Sequence, residues 1–296
     1  MSILHAIILG IVQGATEFAP VSSSGHLILV PWLFNWHDLD PVLNKTFDVA
    51  LHMGTLVGAL VYFRSDVVKY AKAFGRSVAH RSIGSPEERL AWALVIGTIP
   101  GALFGALFES FIEKKLGQPW LIAIMFAVFG VILYVVDLKM KDDRPFDDVG
   151  VKDGAILGVA QALALQPGVS RSGVTMTAGR LIGLDRGSAA RFSFLLALPV
   201  IAGAGMLKAY DLAQTGMGGN GGAFAWGFVS SAISGFIVIW GLLSYLRNHT
   251  FKVFMIYRLL VAAIVVGLIV SGTRSATIPD TSTVPVTHAA AASALP

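Results

Sequence analysis

Cysteine is absent from all 296 residues, so the chain can form neither a disulfide nor a thiolate-held metal site. Charge is scarce as well. Only 14% of residues are Asp, Glu, Lys or Arg, against about 25% in soluble domains, too little polar surface for a water-soluble globule. The opening MSILHAIILGIVQGATEF has no Lys or Arg ahead of its apolar run, and Gln13 and Glu17 interrupt that run. No cleaved leader is therefore expected. The net charge of +4 could suggest nucleic acid, but the basic residues gather between apolar stretches, where membrane topology explains them.

Long uncharged runs are what the chain has instead. Trp120–Val136 carries no charge, and neither does Ala223–Leu246. Apolar stretches of roughly 18 residues or more read as membrane-crossing helices. Six full spans are expected, near 46–63, 91–109, 120–137, 189–208, 223–246 and 253–271. Twelve Lys and Arg residues fall in the segments 64–90, 138–152 and 247–252, which places those segments in the cytoplasm. The alternate connections hold only Lys114, Lys115 and Lys208, with Arg274 beyond the last span, so the loop at 209–222 and the tail belong outside.

Two apolar segments, 2–35 and 154–185, are broken midway by APVSSSGHL and QPGVSRSGVT. Shifted by 148 positions they align without a gap. Ile8, Leu9, Gly10, Gln13, Val21, Ser22, Ser24 and Gly25 match Ile156, Leu157, Gly158, Gln161, Val169, Ser170, Ser172 and Gly173. Each copy precedes three spans, and an odd number of spans inverts the second copy. Broken segments at matching places in two halves point to a site near the bilayer midplane, because irregular backbone at that depth must be buried or line a wet cavity. The expectation is an all-α polytopic membrane protein: six transmembrane helices plus two re-entrant helical hairpins in an inverted-topology repeat. The first repeat would cover residues 1–137, a cytoplasmic linker 138–152, the second repeat 153–272 and a disordered tail 273–296.

The tips carry the chemistry. Pro167 and Gly168 stop one helix and Ser170 begins the next, whose first turn offers unpaired N–H groups and a positive dipole end. Ser170, Ser172 and Thr175 add hydroxyls, and Arg171 adds a planar fork, a donor set suited to a phosphate. The first tip supplies Ser22, Ser23, Ser24 and His26, with Gln13 and Glu17 on one helical face. A carboxylate in an apolar run is expensive, so Glu17 needs Arg171, a divalent cation or a proton. His26 can serve as acid, base or nucleophile. Asp48 and His52, four apart at the start of the first full span, read as an interfacial pair or, as the alternative, as residues lining the cavity entrance. Glu109, Glu113, Lys114 and Lys115 read as a solvated helix end, and Arg180, Arg186 and Arg191 as markers of the cytoplasmic interface of the fourth span. Arg258, inside the last span, requires an internal partner that the sequence does not name.

QGATEF with PVSSSGH, followed about 150 residues later by PGVSRSGVT, resembles the paired signatures of the undecaprenyl-diphosphatase (bacitracin-resistance) family. The resemblance extends to about residue 271. It implies an enzyme that removes the terminal phosphate of undecaprenyl diphosphate in the bacterial inner membrane, with a site open to the outer side. It also implies Glu17, Ser23, His26 and Arg171 as catalytic residues, and phosphate binding by Ser22, Ser170, Arg171, Ser172 and Thr175. Mg²⁺ or Ca²⁺ dependence follows from the same likeness, with Glu17 and Gln13 as ligands, although many family members carry Glu at position 13. Ser23, His26 or water could each be the attacking group. Expected partners are the lipid substrate and the bilayer; a homodimer is allowed, and nucleic acid is not expected. The alternative function is a transporter of an anionic polyprenyl phosphate, which needs the anion clamp without a nucleophile.

Overall fold

A computed structural model describes residues 1–36, 38, 41–111, 115–141, 144–215, 217 and 219–278. The described residues form eleven α-helices and no strand: α1 (Ile3–Glu17), α2 (Ser23–Phe34), α3 (Pro41–Tyr62), α4 (Arg64–His80), α5 (Pro86–Phe111), α6 (Pro119–Lys139), α7 (Val151–Ala162), α8 (Arg171–Leu181), α9 (Arg186–Thr215), α10 (Gly221–Tyr245) and α11 (Lys252–Val270). Five of them are long and apolar enough to cross a membrane, or six if α3 and α4 count as one bent span. The expected span near 46–63 is α3, whose apolar character Lys45, Asp48 and His52 dilute. α5 starts earlier than expected, because Pro86 suits the first helical position and Glu87 and Glu88 suit the N-terminal dipole.

The basic segment after α3 is itself helical. α4 leaves α3 at an 83° bend and buries Tyr70, Ala73 and Ser77, which recur every three or four residues along one face.

The two broken segments become helix pairs, α1–α2 and α7–α8, and each docks against the opposite half of the chain. α1 packs on α10 and α7 packs on α5; α3 packs on α10 as α9 packs on α5. Small residues make the close approach possible. A Cβ on Gly14 would collide with Ser234 and with the α10 backbone, and one on Gly158 with the Gly97 backbone of α5. α6 pairs with α11 and α3 with α9.

Where the ends of α1 and α3 meet α9, Phe18, Phe63, Phe192 and Phe194 are fully packed. The Phe18 and Phe194 rings cross edge to face at 5.3 Å.

Arg180 departs from the interfacial reading, while Arg186 and Arg191 keep partly exposed side chains. Arg180 is fully buried, its Nε donating to Asp137 at 3.0 Å, and Arg186 Nε reaches the same Asp137 oxygen at 2.7 Å. The charge of a carboxylate sealed inside the fold must be paired, which explains why two guanidiniums converge there. Arg191 pairs with Asp66 at 2.6 Å. Residues 274–278 are tied to the helices: Arg274 donates to Leu33 O at 2.7 Å and the Ile278 N–H to Gln118 Oε1 at 2.8 Å. The remainder of the expected disordered tail, residues 279–296, lies outside the described residues, as do Glu113 and Lys114 of the expected helix end.

Candidate active site

The two tips meet in the interior. Each turns through a serine held at positive φ, Ser22 at 74° and Ser170 at 76°, a conformation that costs a non-glycine residue about 1–3 kcal/mol. Both hydroxyls then cap the helix that follows, accepting from Gly25 N at 3.3 Å and Gly173 N at 3.1 Å. The tips also bind one another. Gly168 N donates to Ser22 Oγ at 3.0 Å, and Ser172 Oγ donates to Ala19 O at 2.9 Å. This mutual capping aims the N-termini of α2 and α8 at a common cavity of about 340 Å³. Glu17, Ser22, Ser23, Ser24, Ser170 and Arg171 form its polar wall.

Glu17, at the C-terminus of α1, is the hub. Its Oε1 accepts from Arg171 Nη2 at 2.6 Å. Its Oε2 accepts from Gln13 Nε2 at 2.9 Å and from the Ser23 hydroxyl. Arg171 is thereby held by one nitrogen, while its Nη1 is buried with no acceptor. A guanidinium nitrogen left unpaired inside a fold is costly, so Nη1 retains an unused donor beside the cavity. Gln13 Oε1 is likewise buried and unpaired.

Three expected residues stand apart from this wall. His26 is buried, with its Nδ1–H donating to Ser22 O at 2.7 Å and its Nε2 accepting from the Tyr257 hydroxyl at 2.7 Å. Both ring nitrogens are therefore engaged away from Glu17. Thr175 Oγ1 donates to Arg171 O at 2.8 Å and sits 2.6 Å from Ser193 Oγ. Ser172 spends its hydroxyl on Ala19. These three shape the tips without lining the cavity.

One further lining residue comes from α3. His52 of α3 faces the cavity with Nε2 3.6 Å from Glu17 Oε2, while its Nδ1–H donates to Asp48 O at 2.7 Å. The spacing of Asp48 and His52 is visible in the sequence, where it suggests either an interfacial pair or the cavity entrance, and His52 takes the second place. The rest of the wall is apolar, formed by Val49, Ala164, Val200, Ile201, Ala204 and Gly205.

Chemically, the cavity offers a hydroxyl bonded to a carboxylate, a guanidinium with one spare donor and two helix N-termini. That combination suits nucleophilic displacement at phosphorus with stabilisation of the departing charge. The donor set fits a resident divalent cation poorly. Glu17 is the cavity's single carboxylate, both of its oxygens are already engaged, and no cluster of three His, Asp or Glu occurs among the described residues.

Comparison with known proteins agrees with this chemistry. Residues 6–264 match the family model described as bacitracin resistance protein BacA. Undecaprenyl-diphosphatase of Moorella thermoacetica is 45% identical over 271 residues, covering 90% of this chain and 98% of that protein. The protein of the same name from Pelobacter propionicus is 44% identical, covering 92% and 99% respectively. Undecaprenyl-diphosphatase 2 of Stutzerimonas stutzeri is 44% identical, covering 90% and 98%.

Proposed function

Since the chain belongs to the bacitracin resistance protein BacA family, we propose that its cavity is where the terminal phosphate of a polyprenyl diphosphate is removed. The protein is an integral membrane phosphatase. It hydrolyses undecaprenyl diphosphate to undecaprenyl phosphate and inorganic phosphate, recycling the carrier lipid for cell-wall synthesis and contributing to bacitracin resistance.

The observation that carries the mechanism is the bond from Ser23 Oγ to Glu17, beside an arginine with a free nitrogen. Arg171 Nη1 and the N–H groups opening α2 and α8 take the terminal phosphoryl oxygens. Ser23 Oγ passes its proton to Glu17 and attacks the terminal phosphorus. The bridging P–O bond breaks, and its electron pair leaves with undecaprenyl phosphate. Water then cleaves the phosphoserine, releasing phosphate and returning the proton to Ser23. His26 contributes by holding the Ser22 carbonyl, because neither of its nitrogens is free to attack.

The matched packing of α1 on α10 and α7 on α5 supports an inverted repeat with two re-entrant hairpins. Val49 on α3 and Ile201, Ala204 and Gly205 on α9, all lining the cavity, lie in the helix halves remote from the basic connections. The cavity accordingly opens to the outer side of the inner membrane.

Phosphate release by protein purified in detergent tests the assignment, since detergent leaves no compartments to transport between. Glu17→Gln is expected to lower kcat by about 10²–10⁴-fold, the range for a lost general base, and Ser23→Ala by more. Wild-type rates in both variants would remove these residues from the chemistry.

A further inference from the structure

Arg258 is fully buried in α11, and no carboxylate among the described residues pairs with it. Its charge is instead met by five backbone carbonyls. Nε donates to Phe126 O at 2.9 Å. Nη1 donates to Pro20 O and Val169 O, each at 3.2 Å. Nη2 donates to Met125 O at 2.9 Å and Gly168 O at 2.7 Å. Every N–H of the guanidinium is used. Pro20 and Gly168 stand 148 residues apart, at equivalent places in the two repeats, so one side chain grips matching points of both tips.

The consequence for the cavity follows from peptide geometry. In a trans peptide the C=O of one residue and the N–H of the next point in opposite directions, and no peptide among the described residues is cis. The Val169 carbonyl turns toward Arg258, so the Ser170 N–H turns away from it. Ser170 lines the cavity, is 3% exposed, and its N–H finds no acceptor among the described residues. A buried backbone donor without an acceptor is rare and costly, and its φ of 76° adds strain. Something must hold that peptide in place, and the guanidinium bonds on both Gly168 and Val169 do so.

We infer that Arg258 is a positioning residue for the phosphatase reaction: by drawing the Gly168 and Val169 carbonyls away from the cavity, it presents the Ser170 N–H as a fixed donor to the phosphoryl oxygens of the transition state. The inference rests on the phosphatase reading above. Arg258 does not touch substrate. It acts through the second tip, much as an oxyanion hole depends on the loop that carries it.

The test uses the full-length protein in detergent with undecaprenyl diphosphate, and with vanadate as a probe of the five-coordinate phosphorus geometry. Arg258→Gln and Arg258→Lys are expected to lower kcat by about a hundredfold, the loss typical of one misplaced oxyanion donor. KM should change little, and vanadate inhibition should weaken in parallel with kcat. Gly130→Ala is the second variant, in case the first two fold poorly. A Cβ there would stand 3.2 Å from Arg258 Cβ and 3.3 Å from its Nε, displacing the side chain by a fraction of an ångström. It should give a smaller loss with the same signature. Unchanged kcat and vanadate affinity in folded variants, even with a lowered Tm, would reduce Arg258 to a structural role and overturn the inference. Ser23→Ala in the same assay keeps the two claims apart: a wild-type rate there would sink the phosphatase site itself, whatever the Arg258 variants do.

Discussion

At the scale of single residues, the site depends on how few partners Arg171 has. One nitrogen holds Glu17 and another is unpaired, a division that only a planar fork permits. Arg171→Lys retains a charge but gives one point where two are needed. It should lower kcat/KM by about 10²–10³-fold, with KM rising as well as kcat falling, as steady-state phosphate release will show. Tyr257 should matter far less. Its hydroxyl donates to His26 Nε2 and reaches the cavity only through Ser22. Removing one neutral hydrogen bond is worth about 1 kcal/mol, so Tyr257→Phe should reduce kcat by less than about tenfold. The direction of His26 was not legible in the sequence. α2 is apolar on nearly every side, so periodicity does not say which neighbour its one imidazole meets, and Tyr257 lies 231 residues away. Glu17, Ser23 and Arg171 were legible, because each is a polar group in an apolar run and so demands a partner.

At the scale of elements, the helices themselves were readable from apolar length, and the breaks from Pro and clustered Ser and Gly. What escaped was the use of charge inside the fold. Arg180 and Arg186 looked like interface markers because they lie near a basic connection. In fact they converge on Asp137, which also accepts from Phe251 N, so that α6, α8, α9 and the start of α11 share one junction. Asp137→Ala should therefore destabilise the protein by about 3–5 kcal/mol, the cost of stranding buried charge, and this will register as a lower Tm in detergent. α4 escaped for a different reason. Its composition is that of a loop, and only the spacing of Tyr70, Ala73 and Ser77 marks an amphipathic helix.

At the scale of the whole molecule, each helix pair is built by one half of the chain and seated against the other. Neither half can therefore complete the cavity alone: Glu17 and Ser23 come from one tip, and the arginine that holds Glu17 comes 154 residues later. The matched breaks in segments 2–35 and 154–185 pointed to that exchange in sequence, because such breaks have little reason to recur unless they meet. The keystone did not announce itself. Arg258 stood out as an intramembrane charge, but its partners are carbonyls, which every residue has and no pattern marks. Topology is open to a direct check, since the chain has no native cysteine. A single cysteine at Arg81 should be shielded from an impermeant thiol reagent in intact cells, and one at Gly219 should react.

Rapid-quench mass spectrometry during turnover with undecaprenyl diphosphate reaches the centre of the account. A phosphoryl group should be found on Ser23 in the wild type, and none should be found in Arg171→Ala or Glu17→Gln. Turnover at full rate with no label on Ser23, or with the label on another side chain, would contradict it.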